Sequence, residues 1–123
     1  MMNRRQTMKD ALHDFKEGIK ELSKYNKNEI MKFTEFMNSV LSPGVLDVKT
    51  KELIAIGTAI TARCRYCIGL HVEKAYKAGA KTEEILEAST VAILMGGGPA
   101  FTYIADLKKA IDLFSVKARP SRD

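Results

Sequence analysis

The sequence predicts an all-α fold. Apolar residues recur at spacings of three and four along most of the chain, as they do on one face of a helix. No segment alternates convincingly between apolar and polar residues, which is the pattern of a half-buried strand. Glycine, proline and capping residues fall between the periodic segments. Together these observations predict a bundle of about six helices with a helical hairpin at its centre.

Two amphipathic helices are predicted in the N-terminal third of the chain. The first runs from Met8 to Tyr25, and asparagines at 26 and 28 interrupt the pattern after it. The second ends at Ser42-Pro43-Gly44. Their expected apolar faces are Met8, Leu12, Phe15, Ile19 and Leu22 in the first, and Ile30, Phe33, Phe36, Met37, Val40 and Leu41 in the second.

Four further helices are predicted. The third is capped within residues 47–50, and the fourth runs from about Cys64 to about Ala78, where Gly79 ends it. Thr82 is the expected N-cap of the fifth, which breaks at residues 96–99. The last is expected from about Ala100 to Val116. Its expected buried residues are Phe101, Ile104, Leu107, Ile111 and Phe114, while those of the third are Leu53, Ile56 and Ile60.

Length and composition favour one soluble domain over residues 1–123, with N-terminal helices at 8–41 and a core at about 40–115. No signal peptide and no apolar run of about 20 residues is apparent, so we expect a cytoplasmic protein that does not bind membranes. The net charge of +5 comes from the two ends, and residues 10–116 sum to zero. This distribution argues against a nucleic-acid-binding face.

The two cysteines, Cys64 and Cys67, are three positions apart at the start of the fourth predicted helix. In a reducing compartment, thiols at this spacing are more often catalytic or metal-binding than structural. The free N–H groups and the dipole of a helix N-terminus favour a thiolate there. The pair is therefore a candidate redox centre, with metal binding as the alternative.

His71 and Glu52 are the candidate proton carriers for these thiols. His71 follows Cys67 by four residues and Cys64 by seven, so all three lie on one helix face. If the third and fourth helices form a hairpin, a rise of about 1.5 Å per residue places Glu52 about one turn beyond His71. The carboxylate could then orient the imidazole directly or through one water.

This combined pattern resembles the carboxymuconolactone decarboxylase family, most closely its alkylhydroperoxidase D-like branch. The resemblance covers about residues 40–115. It rests on the segments Leu46–Leu53, Cys64-Arg65-Tyr66-Cys67-Ile68-Gly69-Leu70-His71, Ala75–Gly79 and Thr82–Ile85. The spacing of Glu52, Cys64, Cys67 and His71 together is more specific than any of its parts.

The resemblance implies a thiol-dependent peroxidase or disulfide reductase that needs no cofactor or metal. It implies catalytic Cys64 and Cys67, with Glu52 and His71 as their proton relay. Its implied partners are a hydroperoxide or disulfide substrate and an external dithiol donor, such as a lipoyl or thioredoxin-like protein. It also implies a homo-oligomer, commonly a trimer or hexamer. Peroxidase members carry histidine where this chain has Tyr66, which weakens the prediction of efficient peroxidase activity but not of dithiol–disulfide exchange.

Two other functions remain as alternatives. In a zinc module, Cys64, Cys67 and His71 would be ligands, and a fourth would have to be Glu52 or a group from another chain. Tightly held zinc in purified protein would favour that function. In a cofactor-free decarboxylase or isomerase, Glu52 and His71 would act as acid and base. Activity that survives loss of both cysteines would favour this second alternative.

Overall fold

The structure is a computed structural model that describes residues 7–118, and all six predicted helices are present in it. They are α1 (Met8–Tyr25), α2 (Lys27–Leu41), α3 (Val48–Thr61), α4 (Arg65–Lys77), α5 (Thr82–Thr102) and α6 (Ile104–Ala118). No strand occurs within this range, which confirms the all-α prediction. Most of the basic end segments lie outside the described residues.

The core is formed by α3, α4, α5 and α6. Helix α3 packs against both α4 and α5, and α4 packs against α6 on its other side. The fully buried side chains at these contacts are mostly branched aliphatics: Ile56, Ile60, Ile68, Val72, Ile85 and Leu107. Helices α3 and α4 run as the hairpin that the sequence predicted, and this hairpin positions the candidate site.

Helices α3 and α4 end in the same C-terminal hydrogen-bond motif. After α3, the N–H of Arg63 donates to Ile60 and that of Cys64 donates to Ala59, each at 3.0 Å. After α4, Gly79 and Ala80 repeat the pattern with φ +94° at the glycine. This left-handed position normally favours glycine, yet the α3 motif has Arg63 there at φ +59°.

Side-chain contacts hold the start of α3 in place. The Asp47 carboxylate accepts from the Thr50 N–H at 2.8 Å, as the predicted cap requires. Hydrogen bonds from the Thr50 hydroxyl and then from its N–H hold the pKa of Asp47 below its ordinary value. Lys49 donates to Glu84 on α5 at 2.9 Å. The pKa of Glu84 is also lowered, first by the Lys81 N–H and then by Lys49.

Helix α5 differs from the prediction at both ends. Lys81, not Thr82, is its N-cap residue, because Glu84 accepts from the Lys81 N–H and the Thr82 hydroxyl instead contacts the Tyr76 hydroxyl at 2.7 Å. The predicted break is present at Gly97, where φ +68° and ψ −153° interrupt the helix. Helical geometry resumes beyond it with Pro99, so α6 begins at Ile104 rather than near Ala100.

Among the described residues, α5 is the one helix that is long and apolar enough to cross a membrane, judged by length and composition alone. Its buried side chains, which include Ile85 and Ala92, lie within the core and the helix packs along α3 and α6. The break at Gly97 also divides the apolar stretch. We therefore describe α5 as a core helix.

Several residues predicted to be buried are not. Phe101 is 61% exposed, because it follows the break in α5 and precedes α6. On α1, only Met8 and Leu12 of the predicted face are buried, and α2 buries no residue at all among those described. The apolar faces of α1 and α2 are therefore largely uncovered in a single chain.

Helix α1 packs closely against α4 at Gly69, because glycine has no side chain there. A methyl group at this position would lie 2.7 Å from the Met8 sulfur and 3.1 Å from both Leu12 methyls. We expect Gly69→Ala to be less stable than Gly18→Ala by about 1–3 kcal/mol, because both gain helix propensity but the carbon added at Gly69 forces Met8 and Leu12 to move. Urea unfolding measures this loss.

Gly18→Ala on the exposed face of α1 is the matched control. A methyl group there meets nothing within 4 Å, so this variant should gain about 0.5–1 kcal/mol from helix propensity. Equal stability changes for the two alanine variants would show that α1 does not pack on Gly69.

Candidate functional site

The cysteine pair lies at the start of α4, where the sequence predicted it. Cys64 is the N-cap residue and Cys67 lies in the first turn, with their Cα atoms 5.3 Å apart and their sulfurs joined as a disulfide. The Cys67 N–H donates to the Cys64 sulfur at 3.2 Å. In the reduced protein this N–H and the helix dipole would stabilise a Cys64 thiolate. Both cysteines are partly accessible to solvent.

The hairpin brings His71 and Glu52 into direct contact. The Nδ1 atom of His71 lies 2.6 Å from Oε1 of Glu52. The glutamate is 2% exposed, while the histidine side chain is 19% exposed. The predicted contact is thus present without an intervening water, and Glu52 is one of two buried polar residues in the part of the chain described.

This contact sets which ring nitrogen of His71 can accept a proton. A neutral imidazole carries one N–H, and an ionised carboxylate only accepts hydrogen bonds. When Glu52 is ionised, Nδ1 therefore holds the hydrogen and donates it to Oε1. The other nitrogen, Nε2, is then free to act as a base, and any positive charge it gains is stabilised by the glutamate.

Tyr66, the second residue between the cysteines, packs against α1. Its ring lies 6.1 Å from that of Phe15, centroid to centroid, and its side chain remains 40% exposed. This agrees with its interpretation as a packing residue or a wall of the site. Aromatic pairs at this separation are attractive. Helix α1 therefore contributes to the border of the cysteine pair.

Two charged residues near the pair were not identified from the sequence. The carboxylate of Asp106, on α6, lies 3.8 Å from Nε of Arg65. No local sequence signal places an α6 residue beside α4. Arg63, directly before Cys64, has the left-handed conformation, which could not be predicted because glycine is the usual residue there.

Two cavities adjoin the hairpin in the described range. One, of about 640 Å³, is an apolar groove between α3 and α5, lined by residues that include Leu53, Ile54 and Met95. The other, of about 350 Å³, is bordered by Glu52 and by the lysines Lys74 and Lys77. Buried Glu52 therefore borders a cavity that lies between α2, α3 and α4.

Metal binding has no prearranged site here. Among the described residues, no three histidine, cysteine, aspartate or glutamate side chains are grouped so that they could hold a metal ion.

Comparison with known proteins identifies a family and its fold. The model of the carboxymuconolactone decarboxylase family matches residues 31–109. A crystal structure of an apo member of this family from Legionella pneumophila is 33% identical, with a TM-score of 0.84 over 88% of this chain and 96% of that one. A Thermotoga maritima member, for which an antioxidative role has been suggested, is 26% identical, with a TM-score of 0.72 over 90% and 98%.

The chain is also similar to curated proteins that are described as uncharacterised. One from Haemophilus influenzae is 35% identical over 89% of this chain and 94% of its own length. Uncharacterised protein 4 of the cox locus in Paracoccus denitrificans is 39% identical over 58% of this chain. The match spans 64% of the Paracoccus protein, somewhat less than two thirds of its length.

Proposed function

The chain belongs to the carboxymuconolactone decarboxylase family, and we propose that it is a thiol-dependent oxidoreductase that reduces a hydroperoxide or a disulfide. The observation that carries this proposal is the Cys64–Cys67 pair at the start of α4, one turn before a histidine bonded to a buried glutamate. The two thiols would supply two electrons in each cycle.

His71 would transfer the protons, and Glu52 would orient it. Neutral His71 accepts the thiol proton at Nε2, which leaves a thiolate beside an imidazolium. Glu52 keeps the ring oriented and stabilises its charge through the 2.6 Å contact at Nδ1. The imidazolium then returns the proton to the leaving oxygen or sulfur of the substrate.

With a hydroperoxide, a thiolate attacks the terminal oxygen and the O–O bond breaks. The products are a cysteine sulfenic acid and an alcohol, which takes the proton from His71. The second thiol attacks the sulfenic sulfur, so that water leaves and the disulfide forms. With a disulfide substrate, a mixed disulfide takes the place of the sulfenic acid. An external dithiol then reduces the Cys64–Cys67 disulfide and is itself oxidised.

Turnover assays test this function. Wild-type protein with excess dithiothreitol should consume an organic hydroperoxide or a small disulfide faster than dithiothreitol alone. Because Tyr66 replaces the histidine of peroxidase members, we expect the disulfide to be the better substrate. No acceleration with either substrate would contradict the proposed function.

We also propose that the protein is cytoplasmic and that it assembles as a trimer or hexamer. The support for this assembly is the apolar surface left open in one chain, on α2 and on α5: Phe33 and Phe36 are each 65% exposed, and Leu94 and Met95 are 79% and 74% exposed. Large apolar patches of this kind usually mark contacts with another chain.

Light scattering at micromolar concentration should therefore give a multiple of the chain mass of 13.7 kDa. Replacing Phe33 and Phe36 together with serine should shift the protein toward smaller species. A wild-type monomer would contradict the proposed assembly without bearing on the thiol chemistry.

A further inference from the structure

Arg63 occupies a backbone position that favours glycine. It has φ +59° and closes the C-terminus of α3, as Gly79 with φ +94° closes α4. A residue with a Cβ is strained in this conformation, whereas glycine is not. Arginine therefore lies immediately before Cys64 at a position where glycine would give a more stable fold.

The charge of Arg63 is not used within the fold. Its side chain is exposed and forms no ion pair or hydrogen bond with the residues described, 7–118. Arg65, on the other side of Cys64, differs because Asp106 lies 3.8 Å from it. Of the two arginines adjacent to Cys64, Arg63 is therefore the one whose side chain has no partner among the described residues.

We propose that Arg63 determines substrate specificity by binding an anionic group, such as a carboxylate, on the disulfide or hydroperoxide that reacts with the cysteine pair. This inference rests on the proposed thiol chemistry. The short turn from α3 to α4 places exposed Arg63 directly before Cys64 in the chain. A substrate with a negative charge close to its S–S or O–O bond would meet both the guanidinium and the thiolate.

The test compares two disulfide reagents that differ in charge. Reduced protein is mixed with dithionitrobenzoate, which is anionic, or with dithiodipyridine, which is neutral. A cysteine thiolate attacks one reagent sulfur, and an aromatic thiol leaves. The second cysteine then attacks the mixed disulfide, so a second aromatic thiol leaves and the Cys64–Cys67 bond forms. The released thiols are followed by absorbance.

The rate ratio compares the reaction with dithionitrobenzoate to the reaction with dithiodipyridine. Arg63→Gln should lower this ratio by about 2–5-fold at low ionic strength, the range expected of one exposed charge. Arg63→Lys should retain the ratio of the wild type. High salt should reduce the difference between wild type and Arg63→Gln. Lys32→Gln, which removes an exposed charge from α2 instead, is the matched control and should leave the ratio unchanged.

Arg63→Gly tests the backbone part of the argument. It removes the same charge as Arg63→Gln and should lower the rate ratio equally. Its melting temperature should be higher than that of Arg63→Gln, because only glycine relieves the left-handed strain. A lower melting temperature would contradict the premise that the arginine is kept against a structural preference.

An unchanged rate ratio in Arg63→Gln, or an equal fall with both reagents, would overturn the specificity role. That outcome is distinguishable from failure of the proposed function. The reagents react with any accessible thiol, so the comparison of rates does not require turnover, whereas the proposed function fails when wild-type protein shows no turnover with dithiothreitol.

Discussion

Replacing either Cys64 or Cys67 with serine should strongly reduce turnover of hydroperoxides and disulfides, and loss of the attacking cysteine should abolish it. Each cycle needs one sulfur to attack the substrate and the other to resolve the resulting intermediate. The structure supports this division of work, since the two residues are already joined at the start of α4. Consumption of substrate in the presence of dithiothreitol measures the loss. We expect the uncatalysed background without the attacking cysteine and slow residual turnover without the resolving one, because dithiothreitol can itself attack the sulfenic acid or mixed disulfide.

The single variants should also separate the two roles. The variant that retains the attacking cysteine should still react once with peroxide and accumulate a sulfenic acid, which a dimedone-type reagent traps. The other variant should not. Full activity in a Cys64→Ser/Cys67→Ser double variant would instead favour the acid–base alternative, in which Glu52 and His71 act without thiols.

Replacing His71 with glutamine should slow thiol exchange at pH 7 on the order of 10²–10⁴-fold, the usual contribution of a general base. The same change should raise the pKa of the reactive thiol, because the imidazolium that stabilises its thiolate is lost. The pH dependence of alkylation by iodoacetamide measures this pKa. His13→Gln, on the exposed surface of α1, is the matched control and should behave as the wild type.

Glu52→Gln should cost less than His71→Gln. The amide oxygen can still accept from Nδ1, so the ring keeps its orientation while the stabilising charge is removed. The double variant should be little worse than His71→Gln, because the two residues act as one unit across a 2.6 Å contact. Additive losses would instead show that Glu52 acts separately, for example through the pocket it borders. An unchanged thiol pKa in His71→Gln would contradict the relay.

The contact between Glu52 and His71 could be predicted from the sequence because it depends on regular geometry. Two antiparallel helices joined by a short turn have the same rise per residue, so their residues can be ordered along one axis, and this order places Glu52 about one turn beyond His71. The start of α3 within residues 47–50 and the end of α4 at Gly79 were also predicted, and the structure has Asp47 as the N-cap and Gly79 at positive φ.

Features that depend on neighbouring elements or on special backbone angles could not be predicted. The apolar periodicity of α1 and α2 indicates helices correctly, but it does not say whether another chain or this one covers them. Phe101 has the right spacing for burial in α6, yet it precedes that helix. Asp106 lies near Arg65 only because α6 packs against α4. Arg63 has a positive φ, which is uncommon for any residue other than glycine.

Thiol counting through a redox titration tests the central claim most directly. Fully reduced protein should contain two free thiols per chain, and one equivalent of peroxide should convert both to a disulfide within the same chain. Mass spectrometry of the intact chain and of peptides locates the Cys64–Cys67 bond. Disulfide-linked dimers, or a stable sulfinic or sulfonic acid on a single cysteine, would contradict the assignment of this pair as the redox centre.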